Sequence, residues 1–196
     1  MRYDMDWLLD KAKKGEKIDY LLFWGHQHDL DNPEKVDRPC LSQWYDNNSM
    51  FVVLHERYRT AEHWMMTHKA RLFDDDEMVD RILRARTAAK ARKLGRLVQP
   101  YEESKWMENA RDIVVEGNYH KFGQNPKLRD YLLATGDKVL VESTPLDTLW
   151  GTGYNRNHRF ATEPAEWKGK NWLGFALMEV RDMLAEKEYE APSYKY

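Results

Sequence analysis

Thr60-Ala61-Glu62-His63-Trp64-Met65-Met66-Thr67-His68-Lys69-Ala70-Arg71-Leu72 is the stretch whose reading decides the fold. Thr60 suits an N-cap, because its hydroxyl can accept from an N–H that the helix leaves unpaired. Glu62 falls in the first turn, where the helix dipole favours an acid. The spacing predicts a helix over 61–72. Towards the C-terminus helix follows helix. Asp74-Asp75-Asp76 can cap a run carrying Met78, Ile82 and Leu83, and Thr87 can cap a third over 88–98. A fourth over 104–116 has Trp106, Ala110, Ile113, Val114 and Gly117 at helical spacing. Asn125-Pro126 opens a fifth that Gly136 stops. Towards the N-terminus, Phe51–Leu54 reads as a strand that reverses through His55-Glu56-Arg57, Asp19–Gly25 as another strand, and Asp6–Lys14 as a short helix. Lys138–Glu142 alternates like a short strand, and Trp172–Ala185 forms the last helix. The helices run consecutively instead of alternating with strands. The class is therefore α+β, mostly α: a single compact multihelical domain with a few short strands.

Composition agrees with a folded domain. At 196 residues the chain can bury about 70% of its extended surface, enough for one core without staples. The mean hydropathy of −0.85 reflects 33% charged residues, not disorder, because Trp 8, Tyr 11 and Phe 6 are far more aromatic than disordered chains carry. Cys40 stands alone, so neither an internal disulfide nor a paired-cysteine metal knuckle can form. No apolar run approaches a membrane span, and the first residues lack a signal peptide's apolar core. These features predict a soluble, cytoplasmic protein with no membrane partner. A net charge of −2 argues against wholesale coating of nucleic acid.

Chemistry concentrates in three places. Glu62, Met66 and Lys69 share one stripe of the 61–72 helix, putting acid and amine roughly 10 Å apart along the axis. That is either a solvated charge face or a bracket for a small ligand lying across the helix. His63 and His68 are five apart, and neither they nor His26 and His28 make the HExxH zinc pattern, so no metal is expected. The basic run 88–96 either complements a helix dipole or grips phosphate. In Asp147-Thr148-Leu149-Trp150-Gly151, a carboxylate and an indole three residues apart could join proton chemistry to a stacking surface, unless the Trp only fills the core.

Taken in order, these residues resemble the YbiA-like family, also called NADAR. The resemblance rests on Thr60-Ala61-Glu62-His63 with Lys69, Ala89-Lys90 to Leu94-Gly95-Arg96, Lys121-Phe122, Asn125-Pro126 and Leu128. It continues through Leu132 to Gly136, Leu140-Val141-Glu142, Asp147 with Trp150-Gly151, and Asn171 with Leu173-Gly174 and Leu177-Met178. It covers about Leu21 to Leu184. It divides the chain into an extension over 1–17, a domain over 18–185 and a tail over 186–196. One departure is Leu41-Ser42-Gln43-Trp44, where relatives often have Phe-Ser-Asn-Phe. It implies a different leaving group if that segment touches substrate. The His55-Glu56-Arg57 reversal likewise replaces a commonly Gly-containing turn.

The resemblance implies cleavage of an N-glycosidic bond. The expected substrate is a small phosphorylated ribosylamino-pyrimidine of riboflavin biosynthesis. The alternatives are ADP-ribose on guanine in nucleic acid, or binding without catalysis. It points to Glu62, Lys69 and Asp147 as catalytic residues, and to Trp150, Arg96 and Lys121 as substrate contacts; Trp24, Trp44 and Gly151 complete the substrate-binding candidates. Breaking a C1′–N bond leaves cationic character on the sugar, which carboxylates stabilise, and the departing nitrogen needs a proton from an acid of raised pKa. A lysine of lowered pKa could instead form an imine with the opened aldehyde. The expected roles are Lys69 as nucleophile or electrostatic centre, Glu62 as acid/base and Asp147 as ribose or water ligand. Trp150 would stack, and Arg96 and Lys121 would hold phosphate. No step requires a metal or redox cofactor.

Overall fold

Most helices begin where a short polar side chain meets an N–H that the helix cannot satisfy. Asp4 accepts from Trp7 to open α1 (Met5–Lys13), Thr60 from His63 to open α2 (Ala61–Leu72), Asp75 from Met78 to open α3 (Asp76–Leu83), and Thr87 from Lys90 to open α4 (Ala88–Gly95). Downstream lie α5 (Glu103–Gln124), α6 (Pro126–Ala134) and α7 (Trp172–Glu186). The computed structural model describes residues 2–192 except Pro33 and Asn48. Pro33 of the expected Asn32-Pro33 turn, Met1 of the extension and the last four residues of the tail lie outside the described residues.

The strands form two separate pairs. β1 (Tyr20–Phe23) runs parallel to β4 (Val139–Glu142), Tyr20 opposite Val139 and Phe23 opposite Glu142. β2 (Phe51–Val53) and β3 (Glu56–Tyr58) form an antiparallel hairpin. Its reversal is Leu54-His55, both at positive φ, so Glu56 and Arg57 belong to the returning strand and not to the expected turn. β4 does not expose alternate residues as its pattern predicted: all four are buried, as in a parallel strand covered on both faces. Asn171 closes its free edge, accepting from Glu142 N–H at 2.9 Å and donating to Leu140 O at 2.9 Å. Gly174 permits this approach of α7, since a Cβ there would lie 2.0 Å from Leu140 O.

α2 is the central helix, buried at every position from Ala61 to Thr67 and packed by α3, α4 and α5. α7 packs against α5 and β4 on the far side, and Trp64, Ile82, Val114, Phe122, Leu132 and Phe175 are among the core side chains. α5 runs eight residues past its expected end at Glu116. Gly117 makes room for Trp64, whose Cδ1 would lie 2.3 Å from an added Cβ, and Asn118 and Lys121 find buried partners. α4 stops at Gly95, short of the expected Val98, where Met66 of α2 fills the space a side chain would need. α1, within the expected extension, packs on the domain: Leu8 is fully buried and Tyr3 hydrogen-bonds Asp182 at 2.7 Å. Among the described residues no helix is long and apolar enough to cross a membrane.

Candidate active site

The second residue of α2 is an acid cut off from water. Glu62 is 2% exposed, its N–H donates to Gln43 O at 2.9 Å, and the Trp44 indole hydrogen-bonds its carboxyl. Burial pushes the group up to about 7, against the opposing pull of Arg92, Trp44 and Arg96, while Asp147 adds to the rise. Its Oε1 is buried without a hydrogen-bond partner among the described residues. Buried acceptors are nearly always paired, so an unpaired one aimed from a helix N-terminus marks a place prepared for a proton or a donor.

Asp147 approaches from the turn after β4. Its Oδ1 accepts the N–H groups of Leu149 at 3.0 Å and Trp150 at 2.8 Å, which fixes the carboxylate, and Oδ2 lies 3.5 Å from Arg92 of α4. The Arg92 guanidinium also lies over the Trp44 ring at 5.9 Å, and His26 meets the same ring at 5.5 Å. Glu142, the last residue of β4, is a second buried acid, pushed up to about 8 by burial first and Asp147 second. Asp147 is thus within electrostatic reach of both buried acids and ion-paired with Arg92. One site collects groups from α2, α4, β4, the turn after β4 and the 40–44 segment.

The expected residues divide. Glu62, Asp147, Trp44 and Arg96 are brought together. Lys69 joins them through Arg96: burial and then Arg96 lower its ammonium, which lies 4.2 Å from the Tyr101 ring and 5.5 Å from that of Trp106. Trp150 shares Asp147's turn, with its indole edge against Trp172 at 5.7 Å. Trp24 is exposed one residue beyond Phe23, the β1 partner of Glu142. Gly151 is buried backbone: an added Cβ would lie 2.5 Å from Thr144 Cγ2 and 2.8 Å from Glu142 O, so its absent side chain seats the turn on β4. Lys121 does not join the site as the phosphate ligand expected of it. It is fully buried and donates to Cys40 O and Ser42 O. A cleft of about 340 Å³ beside His28, Lys35 and Asp37 contains none of these groups.

Sequence reasoning read Arg92 only as part of the basic run 88–96 and Glu142 only within the resemblance, and singled out neither as a site residue. Both had a signal: Glu142 is the one charge ending an apolar run, and Arg92 stands one helical turn before Arg96 on the same face. No cluster of three or more metal-ligating side chains occurs among the described residues.

Known proteins bear on this arrangement. The NADAR domain model matches residues 22–185. N-glycosidase R617 of Acanthamoeba polyphaga mimivirus is 39% identical over 154 residues, covering 77% of this chain and 91% of that protein. N-glycosidase YbiA of Escherichia coli strain K12 is 32% identical over 126 residues, 64% of this chain and 70% of that one. Riboflavin biosynthesis protein VVA0006 of Vibrio vulnificus is 34% identical over 127 residues, 65% of this chain but only 31% of its own length. The NMR structure of E. coli YbiA matches with a TM-score of 0.68 at 26% identity, covering 92% of this chain and 93% of that one. With a domain match across most of its length and the architecture of YbiA, this chain belongs to the NADAR family.

Proposed function

We propose that this chain is an N-glycosidase that hydrolyses the C1′–N bond of phosphorylated ribosylamino-pyrimidines, intermediates of riboflavin biosynthesis. Two of the relatives, R617 and YbiA, are named N-glycosidase, and the Vibrio vulnificus relative is named for riboflavin biosynthesis. The observation that carries the reading is Glu62, a carboxyl at about 7 with one buried oxygen unpaired. Near neutral pH much of it keeps a proton to give. As the C1′–N bond breaks, its electron pair stays on the leaving nitrogen, which takes the Glu62 proton. Positive charge develops on C1′ and the ring oxygen, where the Asp147 carboxylate, held by two N–H groups and Arg92, is suited to stabilise it. Water adds to C1′ and passes its proton to a carboxylate. Lys69 offers the second route, an imine with the opened sugar. Arg96 suits the phosphate, and Trp44 and Trp150 offer faces for the base or sugar. This reading assigns the chain to the cytoplasm.

The test is to incubate purified protein with a phosphorylated ribosylamino-pyrimidine and, separately, with an ADP-ribosylated oligonucleotide, and to follow release of the sugar product. Release from the small substrate, falling on the order of a hundredfold or more in both Glu62→Gln and Asp147→Asn, is the expected result. Release from the oligonucleotide alone, weakening as salt rises, would replace this reading with the nucleic-acid one. Binding without turnover of either would leave a binding module.

A further inference from the structure

Lys121 sits where a lysine is costly. It is fully buried on α5, and burial pushes its ammonium down to about 8. No carboxylate pairs with it among the described residues. The ammonium instead donates to Cys40 O at 2.6 Å and Ser42 O at 2.8 Å, with the Phe122 and Tyr45 rings 4.9 and 5.7 Å away. An apolar side chain of the same length would fill this volume without desolvating a charge. What the cation adds is a grip on the carbonyls at the end of the 3-10 turn Arg38–Leu41, the end that favours positive charge. One turn earlier on α5, Asn118 donates to Gln43 Oε1 at 2.8 Å. Ser42 Oγ in turn accepts the Trp44 N–H at 3.1 Å. The next step along the chain is the acid itself: Gln43 O takes the Glu62 N–H at 2.9 Å, and the Trp44 indole meets the Glu62 carboxyl. The 40–44 segment is a bracket, held by α5 on one side and touching Glu62 on the other.

We propose that Lys121, together with Asn118, is a positioning pair for the reaction, fixing the 40–44 segment so that Trp44 stays on Glu62. The effect on turnover rests on the reading of Glu62 as proton donor; the effect on Glu62 itself does not. The charged groups that face Glu62 are Arg92 from α4, Arg96 at its C-terminal cap and Asp147 from the turn after β4. Lys121 is not among them and acts through the segment alone.

The experiment follows the Glu62 carboxyl in the free protein by carbon-13 NMR titration, its signal assigned by loss in Glu62→Gln, in wild type, Lys121→Met and Asn118→Ala. Freed from the segment's grip, Trp44 no longer holds and covers the carboxyl, so the midpoint moves by roughly one pH unit in both variants. The rate profile moves with it, and kcat falls roughly ten- to a hundredfold at unchanged KM. An unmoved Glu62 midpoint in the folded variants would overturn the proposal. So would raised KM with unchanged kcat, the mark of a lysine that holds substrate. If Lys121→Met does not fold, Asn118→Ala decides by the same titration. A wild type that turns over no ribosylamine would sink the functional reading, and the titration would still decide the positioning claim.

Discussion

Replacing Glu62 with glutamine removes a charge while keeping the shape. Burial holds this carboxyl at about 7 in the folded chain, against an ordinary 4.5. That gap converts to roughly 3 kcal/mol, at about 1.4 kcal/mol per pH unit. The sign follows from proton binding. Between 4.5 and 7 the unfolded chain has released a proton that the folded chain still holds, so wild-type stability falls as pH rises through that window. There is no loss below 4.5, and the loss is complete above 7. Glu62→Gln has no proton to lose. Urea unfolding of both proteins at intervals from about pH 4 to about pH 9 reads the effect. Glu142, pushed up to about 8, contributes a similar slope to both, so the difference curve isolates position 62. The curves should converge at the acid end. At the alkaline end the variant should be more stable by roughly 3 kcal/mol, or roughly 6–12 °C in melting temperature. Turnover should fall on the order of 10²–10⁴-fold, because an amide is far too weak an acid to transfer a proton to the leaving nitrogen. Parallel stability curves over the whole range would refute the reasoning, since the carboxyl would then titrate alike in folded and unfolded chains.

Other outcomes follow from the same geometry. Lys69→Ala should change stability by only about 1 kcal/mol, the worth of its contact with the Tyr101 ring. Borohydride with substrate should trap an adduct in wild type and not in this variant; no adduct in wild type and unimpaired turnover in Lys69→Ala would exclude the imine route. Gly151→Ala forces a Cβ to 2.5 Å from Thr144 Cγ2, so thermal melting should show a loss of about 1–3 kcal/mol. His68 and His120, both against the Trp64 ring, are lowered to about 4 chiefly by burial. Their unfolded forms take up protons first, so stability should drop as pH falls from 6.5 towards 4, and His68→Phe should flatten that limb of a denaturation series.

The helical part of the fold was legible because its signals are local. Thr60, Asp75, Thr87 and Asn125-Pro126 each announce a helix start within four residues, and the structure starts helices there. The second half of α5 was not legible. Gly117, Asn118, His120 and Lys121 look like the end of a helix until their partners are known, and those partners lie more than fifty residues away, at Trp64, Gln43, Tyr189 and Cys40. The same distance hid the role of Lys121. A buried lysine satisfied by two carbonyls carries no motif, whereas Lys in a family pattern reads readily as a phosphate ligand. Glu62, Asp147 and Trp44 could be named from residue type and resemblance. Arg92 and Glu142 carried only weak signals in the sequence, and their place beside Asp147 depends on how α4 and β4 meet around it.

The parallel pairing of β1 with β4 joins positions well over a hundred residues apart, Tyr20 to Val139. Glu62 and Trp44 come from the first half of the chain, Asp147 and Glu142 from the second. Closing so large a loop comes late in folding, because its entropy must be lost before its contacts reward it. Neither half made separately holds the full set of acids, and a ribosome must release most of the polypeptide before the ensemble can assemble. Catalytic competence therefore requires both halves to have met, and recovery of turnover during refolding would time that meeting.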